Sequence, residues 1–229
     1  EIGVRLVGSE MCIRDSHNRL HRNYQDDISL HYYLLASKDG ITIGKRYFKH
    51  ENNKEDYPFS PSGHNLYDNN SKLYYCRDFD NIVYQIHEDS VVPRFRINLP
   101  NPLPASMIEE RPNEMSLLRS GYSLGITDIY EYGGLLFFRF VKDGYIWSCL
   151  YNVEESKQVY CAKRIKFLDS SLIDTIDGIY KDCFYSILTP EYLDYAFSEN
   201  PLEDYPDLFK TYDVEGDNPV IAFYRAVVR

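Results

Sequence analysis

The sequence predicts an all-β protein made by repeating one antiparallel unit, and three observations carry that prediction. Laying Leu66 over Ile129 without a gap aligns LYDNNSKLYYCRDFDNIVYQI with IYEYGGLLFFRFVKDGYIWSC, so strand-rich text recurs along the chain. Short β-rich runs are separated by two-residue turn signals, Gly133-Gly134 and Asp143-Gly144, whose residues tolerate positive φ. The 22 Tyr and 12 Phe, against 1 Trp and 3 Met, suit half-buried pleated surfaces on which rings pack across strands. Repetition of a several-stranded antiparallel unit is the pattern of a β-propeller, in which each blade buries its faces against its neighbours. The expected fold is therefore a partial propeller of three to four blades, each a four-stranded meander, with short helices near the C-terminus.

The opening text EIGVRLVGSEMCIRDS fits no strand or helix period, and VGSEMCIRDS resembles translated sequencing-adaptor read-through. Residues 1–16 are expected to be a leader foreign to the protein, joined at a gene-fragment edge to a partial propeller domain over 17–229. Within that domain, ISLHYYLLASKDGITIGKRYF predicts a hairpin about Lys38-Asp39-Gly40, the remnant of a first blade over 28–48. A connection rich in Pro, Asn and Ser follows. The next blade, 64–99, has turns at Asn69-Asn70 and Asp80-Asn81 and a last strand RFRINL. Four Pro residues break the period between Leu99 and Ser123, where one acidic helical turn is expected about Ile108-Glu109-Glu110.

A further blade spans 126–167, with strands Ile129 to Tyr132, Leu135 to Val141, Tyr145 to Tyr151 and QVYCAKRIKF. The terminal blade, 176–229, opens with IDGIYKDCFYSIL, the same text with the two glycines deleted. Thr189-Pro190-Glu191 then starts a helix, Thr as cap and Pro at the first helical position, which places Tyr192, Leu193, Ala196 and Phe197 on one face. A second short helix is expected at Pro206 to Thr211, and VIAFYRAVV is the final strand.

The formal net charge of −10 argues against a nucleic-acid partner, which would require Lys and Arg to displace counterions from phosphates. It argues equally against binding strongly anionic lipid. No run of about 18 apolar residues exists, so no transmembrane helix is expected.

The blade text LYDNNSKLYYCRDFDNIVYQI, the segments IYEYGGLLFFRF and WSCLYNVEESKQV, IDGIYKDCFYSILTPEYL and the close DNPVIAFYRAVV together resemble the six-bladed β-propeller lipoproteins of Bacteroides-type bacteria, over Ile28 to Arg229. The resemblance implies a chain longer than this one and a location in the periplasm or at the outer membrane. It also implies a lipid anchor on an N-terminal signal cysteine. Cys12 is not that cysteine, since no apolar signal core precedes it. The resemblance carries over no catalytic residue and no cofactor.

Chemistry-bearing residues are sparse. There is no C-x-x-C, HExxH or glycine-rich phosphate loop, so no metal site is expected. His17 and His21 are four apart but lie at the junction with the leader. If the hairpin YNVEESKQV turns about Glu155, Cys149 and Cys161 stand opposite each other. A cross-strand disulfide and two separate buried thiols are both open readings. Aligning the three repeats sets His64-Asn65, Thr127-Asp128 and Asp177-Gly178 just before the first strand of each, the position that in a propeller faces one mouth of the channel. His64, Asn65, Thr127, Asp128 and Asp177 are the ligand-binding candidates, against the plainer reading that loops before strands are polar in any case. Tyr130, Tyr132, Phe137, Phe138, Tyr145, Trp147 and Tyr151 form either a carbohydrate-stacking platform or, better supported by strand alternation, core packing.

The expectation is a non-enzymatic envelope propeller that binds an unidentified ligand or protein partner through loops at one end of the ring. The alternative is a propeller enzyme of the lyase or glycosidase type, with acid and base groups meeting at the channel mouth. An assembly subunit docking on an outer-membrane complex is a third reading, to be marked by an extended apolar patch.

Overall fold

A computed structural model describes residues 3–5, 12–15, 32–37, 43–49, 65–110, 112–163, 165–167, 171–173, 176–199, 212–213, 216 and 218–225. Its strands are β1 (Gly3–Arg5), β2 (Cys12–Asp15), β3 (Tyr32–Ser37), β4 (Ile43–Lys49), β5 (Leu66–Asn69), β6 (Lys72–Cys76), β7 (Ile82–Ile86), β8 (Val91–Arg96), β9 (Ser123–Tyr132), β10 (Leu135–Lys142), β11 (Tyr145–Asn152), β12 (Lys157–Ala162), β13 (Ile165–Phe167), β14 (Ser171–Ile173), β15 (Gly178–Tyr180), β16 (Cys183–Leu188) and β17 (Val220–Tyr224). Three helices, α1 (Ala105–Glu109), α2 (Glu114–Leu118) and α3 (Pro190–Glu199), complete the described elements. The strands form three four-stranded sheets in sequence order, β1 to β4, β5 to β8 and β9 to β12, then a pair β13-β14 and a three-stranded sheet β15-β16-β17. Consecutive antiparallel strands joined by short turns are the meander that the repeat predicts.

The chain divides into two compact units, one of residues 1–67 and 72–127, the other of 68–71 and 128–229. In the first, β3 lies against β6 and β7 through Leu34, Ala36, Leu73, Tyr75 and Ile86, all buried. Burying each large side chain there contributes on the order of 2 kcal/mol. Phe48 stacks on Tyr75 at 5.4 Å between ring centroids, and the Arg77 guanidinium lies over the Phe48 ring at 5.2 Å. Asp80 holds that Arg in place with two hydrogen bonds, of 3.0 and 2.6 Å, and accepts from the amides of Asn81 and Ile82. At Gly125, with φ +96°, a Cβ would sit 2.7 Å from Phe79 Cα, so only glycine allows β9 to pass the β6–β7 turn this closely.

The turns of the second repeat match expectation: Gly133 and Gly134 have φ +57° and +76°, and Asp143 and Gly144 have +54° and +72°. In the first repeat the turn is Asn70-Ser71, with φ +46° and +73°, one residue beyond the expected Asn69-Asn70. Asn69 is buried at the strand end instead. Asp80-Asn81 is likewise displaced: Phe79 carries the positive φ, +60°, and Asp80 caps the strand that follows. The connection after Leu99 holds two short helices, α1 at the expected acidic turn and α2, which the sequence reading left unassigned. Asn113 caps α2 by accepting from the Ser116 amide at 2.9 Å. QVYCAKRIKF is not one strand. β12 ends at Ala162, and β13 pairs with β14.

α3 starts as predicted, with the Thr189 hydroxyl accepting from the Tyr192 amide at 3.3 Å and Leu193 and Ala196 buried. The stretch 1–16, which showed no strand period, contributes β1 and β2, and β2 pairs with β3 from Cys12↔Ser37 to Asp15↔Leu34. The expected hairpin turn at 38–40 and the helix at Pro206 to Thr211 lie outside the described residues.

Candidate functional site

β9 is buried at every residue from Ser123 to Tyr130, polar side chains included, and it positions the chemistry of the second unit. A strand with polar residues on both buried faces must satisfy them internally. Asp128 stands at φ +53°, a left-handed backbone that Asp tolerates better than most residues, and the strand resumes beyond it. Its Oδ2 accepts from Arg139 Nε at 2.8 Å and forms an ion pair at 2.7 Å with a terminal guanidinium nitrogen. Arg139 lies on β10, in the otherwise apolar run LLFFRFV, with its side chain 17 % exposed and that of Asp128 10 % exposed. Two charges so nearly out of water persist because each neutralises the other.

Tyr130, two residues on, donates its hydroxyl to the Asp177 carbonyl at 2.9 Å. Burial pushes its phenol pKa up, and the nearby carboxylates of Asp128 and Asp177 push it further, against a smaller opposing effect of Arg139. The phenol is therefore a neutral hydrogen-bond donor at physiological pH and no base. Asp177 also bonds within its own sheet: its amide donates to the Tyr185 carbonyl at 2.9 Å and its Oδ2 accepts from the Ile187 amide at 2.6 Å, which ties the start of β15 to β16. On the same sheet, burial first and the Asp177 charge second raise the Tyr224 phenol to about 12, against a hydrogen bond with Ser186 that lowers it. The edge of β9 is closed by Asn69, whose Nδ2 donates to the Ile129 carbonyl at 3.0 Å and whose Oδ1 accepts from the Glu131 amide at 2.6 Å. That side chain imitates one residue of a neighbouring strand.

Of the five predicted binding residues, Asp128 and Asp177 thus meet around Tyr130 in the second unit. Asn65 and Thr127 belong to the first unit, where both are buried, and the Asn65 carbonyl accepts from the Cys76 amide at 3.0 Å. His64 lies outside the described residues. Arg139 was not singled out from sequence, Tyr130 was read among the packing or stacking aromatics, and Asn69 was read as a turn residue. The signal for Arg139 was a lone charge inside an apolar strand, which requires a counter-charge nearby.

The aromatic platform divides. Tyr130, Phe137 and Phe138 are buried and Tyr132 packs edge-on to Phe184, so core packing accounts for these four. Tyr145 is 54 % exposed, with the Lys163 ammonium 3.4 Å from its ring centroid and 5.7 Å from that of Trp147. Trp147 stacks on Phe140 at 6.2 Å. Along the same hairpin, Cys149 pairs directly with Cys161 in the β11–β12 register, Cα atoms 4.1 Å apart, and the two are joined by a disulfide. Cys76 is buried as a free thiol and Cys183 is half-buried and free. Among the described residues, no group of three or more His, Cys, Asp and Glu is placed to hold a metal ion, and no helix is long and apolar enough to cross a membrane.

Comparison with known proteins bears on the fold. No curated protein matches the chain. A crystal structure of a "Putative exported protein" from Bacteroides fragilis superposes with a TM-score of 0.71 at 15 % identity, covering 97 % of this chain and 64 % of that one. The chain thus spans under two thirds of that neighbour's length. A family model described as a 6-bladed beta-propeller matches residues 11–171, through β2 to β13 and their repeated meanders, and the chain belongs to that six-bladed β-propeller family.

Proposed function

We infer that the protein is a non-enzymatic β-propeller of the cell envelope that binds a ligand or a protein partner, and that it works outside the cytoplasm. The observation carrying the compartment is the Cys149–Cys161 disulfide, because such bonds persist in oxidising compartments and are rare where glutathione and thioredoxin keep thiols reduced. The structural neighbour from Bacteroides fragilis, named for export, supports the same placement. A lipid anchor on a signal cysteine upstream of these residues belongs to this reading.

Binding is favoured over catalysis by the use made of the carboxylates. An acid or base must be free to exchange a proton with substrate. Asp128 is held by Arg139, and Asp177 Oδ2 accepts a backbone amide. Both serve to build the sheet around Tyr130, and recognition falls to loops and exposed side chains.

The test takes the native organism. Cells are quenched with acid, free thiols blocked with iodoacetamide, and the peptides carrying Cys149 and Cys161 analysed by mass spectrometry, alongside fractionation and labelling with an alkyne analogue of palmitate. The expected result is an oxidised pair and a lipidated protein in the envelope fraction. Reduced, alkylated cysteines in a cytoplasmic protein would refute the placement. Turnover of any member of a polysaccharide panel by the purified protein, lost on Asp128→Asn, would refute the binding reading.

A further inference from the structure

Antiparallel register gathers five side chains on one face of the β9–β12 sheet, at the end where β10 passes into β11. Lys142 lies opposite Tyr145 and Phe140 opposite Trp147, and the pairing Ser148↔Ala162, carried one residue on, sets Lys163 across from Trp147. Residues two apart on a strand share a face, so Phe140, Lys142, Tyr145, Trp147 and Lys163 stand together. Phe140 is buried and stacks on Trp147, which gives the patch a fixed floor. Around that floor Tyr145 and Lys163 are exposed, and Lys142 and Trp147 are half-buried.

Charge and hydrogen bonding set this patch apart. Neither Lys142 nor Lys163 has an acid partner among the described residues, although Asp and Glu outnumber Lys and Arg by 35 to 25 in the chain. The Lys163 ammonium rests instead on the rings of Tyr145 and Trp147. An aromatic face at an exposed site holds a cation weakly, so that ammonium is available to an anion. The Trp147 Nε1–H is buried with no acceptor among the described residues, a donor that the fold does not use. Two ammonium groups, an open phenol ring and an unused indole N–H suit a ligand with a carboxylate, an apolar ring face and oxygen acceptors. That combination is the chemistry of an acidic sugar. A dense polyanion does not fit, because the net charge of −10 repels it.

We propose, resting on the binding reading above, that Lys142, Tyr145, Trp147 and Lys163 form a subsite for a uronic-acid residue within a glycan of low charge density. The carboxylate draws the Lys163 ammonium off the rings and bonds it, with Lys142 on the other side of the aromatic pair. The apolar face of the sugar then takes the ammonium's place on Tyr145, and a sugar oxygen accepts from Trp147 Nε1. Asp128 and Asp177, bonded to Arg139 and the Ile187 amide, take no part.

Trp147 is the chain's single tryptophan, so its emission reports the subsite directly. The purified protein is titrated with disaccharides that carry one glucuronate or one galacturonate, each against its neutral counterpart. A saturable change in emission is expected with the acidic sugar, at about tenfold higher affinity than with the neutral one. Lys142→Met/Lys163→Met keeps the apolar stems and should abolish that preference. Tyr145→Ala should weaken both sugars alike, and circular dichroism should be unchanged in either variant. Equal affinity for acidic and neutral sugars overturns the proposal, as does a preference that survives removal of both lysines. No response to any of the sugars overturns it too, while the binding reading stands with another ligand. Turnover of the acidic sugar that depends on the two lysines would refute the binding reading yet support the subsite.

Discussion

Replacing Arg139 by Leu tests the reading of β9 most directly. The substitution leaves the Asp128 carboxyl group mostly buried and held at positive φ, with its two guanidinium bonds gone. Removing one member of a buried ion pair costs about 3 to 5 kcal/mol, because the remaining charge stays out of water. With side chains 17 % and 10 % exposed, some solvent reaches the pair, so the lower figure, about 3 kcal/mol, is expected. Asp128→Asn keeps a side chain that tolerates the backbone and can still accept one hydrogen bond, and should cost about 2 kcal/mol. The double variant removes both charges and should recover most of the loss, ending within about 1 to 2 kcal/mol of wild type. Urea unfolding followed by Trp147, the chain's single tryptophan and a residue of β11 in the second unit, reads this without interference from other indoles. If Arg139→Leu lies within about 0.5 kcal/mol of wild type, or the double variant is as unstable as Arg139→Leu alone, the pair does not hold the strand as argued.

Three further outcomes follow from the structure. Tyr130 and Tyr224 have phenols raised above the ordinary 10.0, so their stabilisation is complete below pH 10 and is lost as pH rises toward their folded values, about 12 for Tyr224. The urea midpoint should fall between pH 10 and 12, and Tyr130→Phe should flatten that fall; an unchanged slope counts against the buried phenol. Reducing Cys149–Cys161, or replacing both by Ser, should cost up to about 3 kcal/mol from loop closure alone, less to the extent that the hairpin register survives in the unfolded chain. Denaturation with and without reductant measures it, and identical curves would contradict the bond. Gly125→Ala forces a Cβ to 2.7 Å from Phe79 Cα at φ +96°, and should destabilise the first unit by about 3 kcal/mol. Faster hydrogen exchange in peptides covering β6 and β7 is the readout, and wild-type protection there would disprove the close approach.

The fold was legible because a meander writes itself locally. Turn residues and strand alternation lie within a few residues of each other, and the repeat doubles the signal. The first turn of the second repeat, with glycine at both positions, was read to the residue. Its counterpart in the first repeat was read one residue early, although the information was present. The ungapped alignment places Asn70-Ser71, not Asn69-Asn70, over Gly133-Gly134, and these are the residues with positive φ. Three consecutive polar residues, Asn69, Asn70 and Ser71, each suit a turn, and local propensity alone does not choose among them. What decides is a distant demand: Asn69 is required by the edge of β9, to the carbonyl of Ile129 and the amide of Glu131.

The same distinction limits the candidate site. Asp128 and Asp177 were found by repeat alignment, which reports position in a blade, and the structure does bring both to Tyr130. Alignment cannot report what a carboxylate is bonded to, since Arg139 and the Ile187 amide are supplied by other strands. A polar residue at the start of an inner strand has two uses, facing a ligand or satisfying the backbone of the next sheet, and both leave the same letter in the sequence. The second use is visible here at Asp177, whose carboxylate caps one strand while its carbonyl receives a phenol from another. On the proposed binding reading, recognition is to be sought on residues that the internal network leaves exposed. Tyr145 beside Lys163 is one such place, and alternation assigned Tyr145 to the core because it counts faces without counting how far a hairpin end projects beyond them.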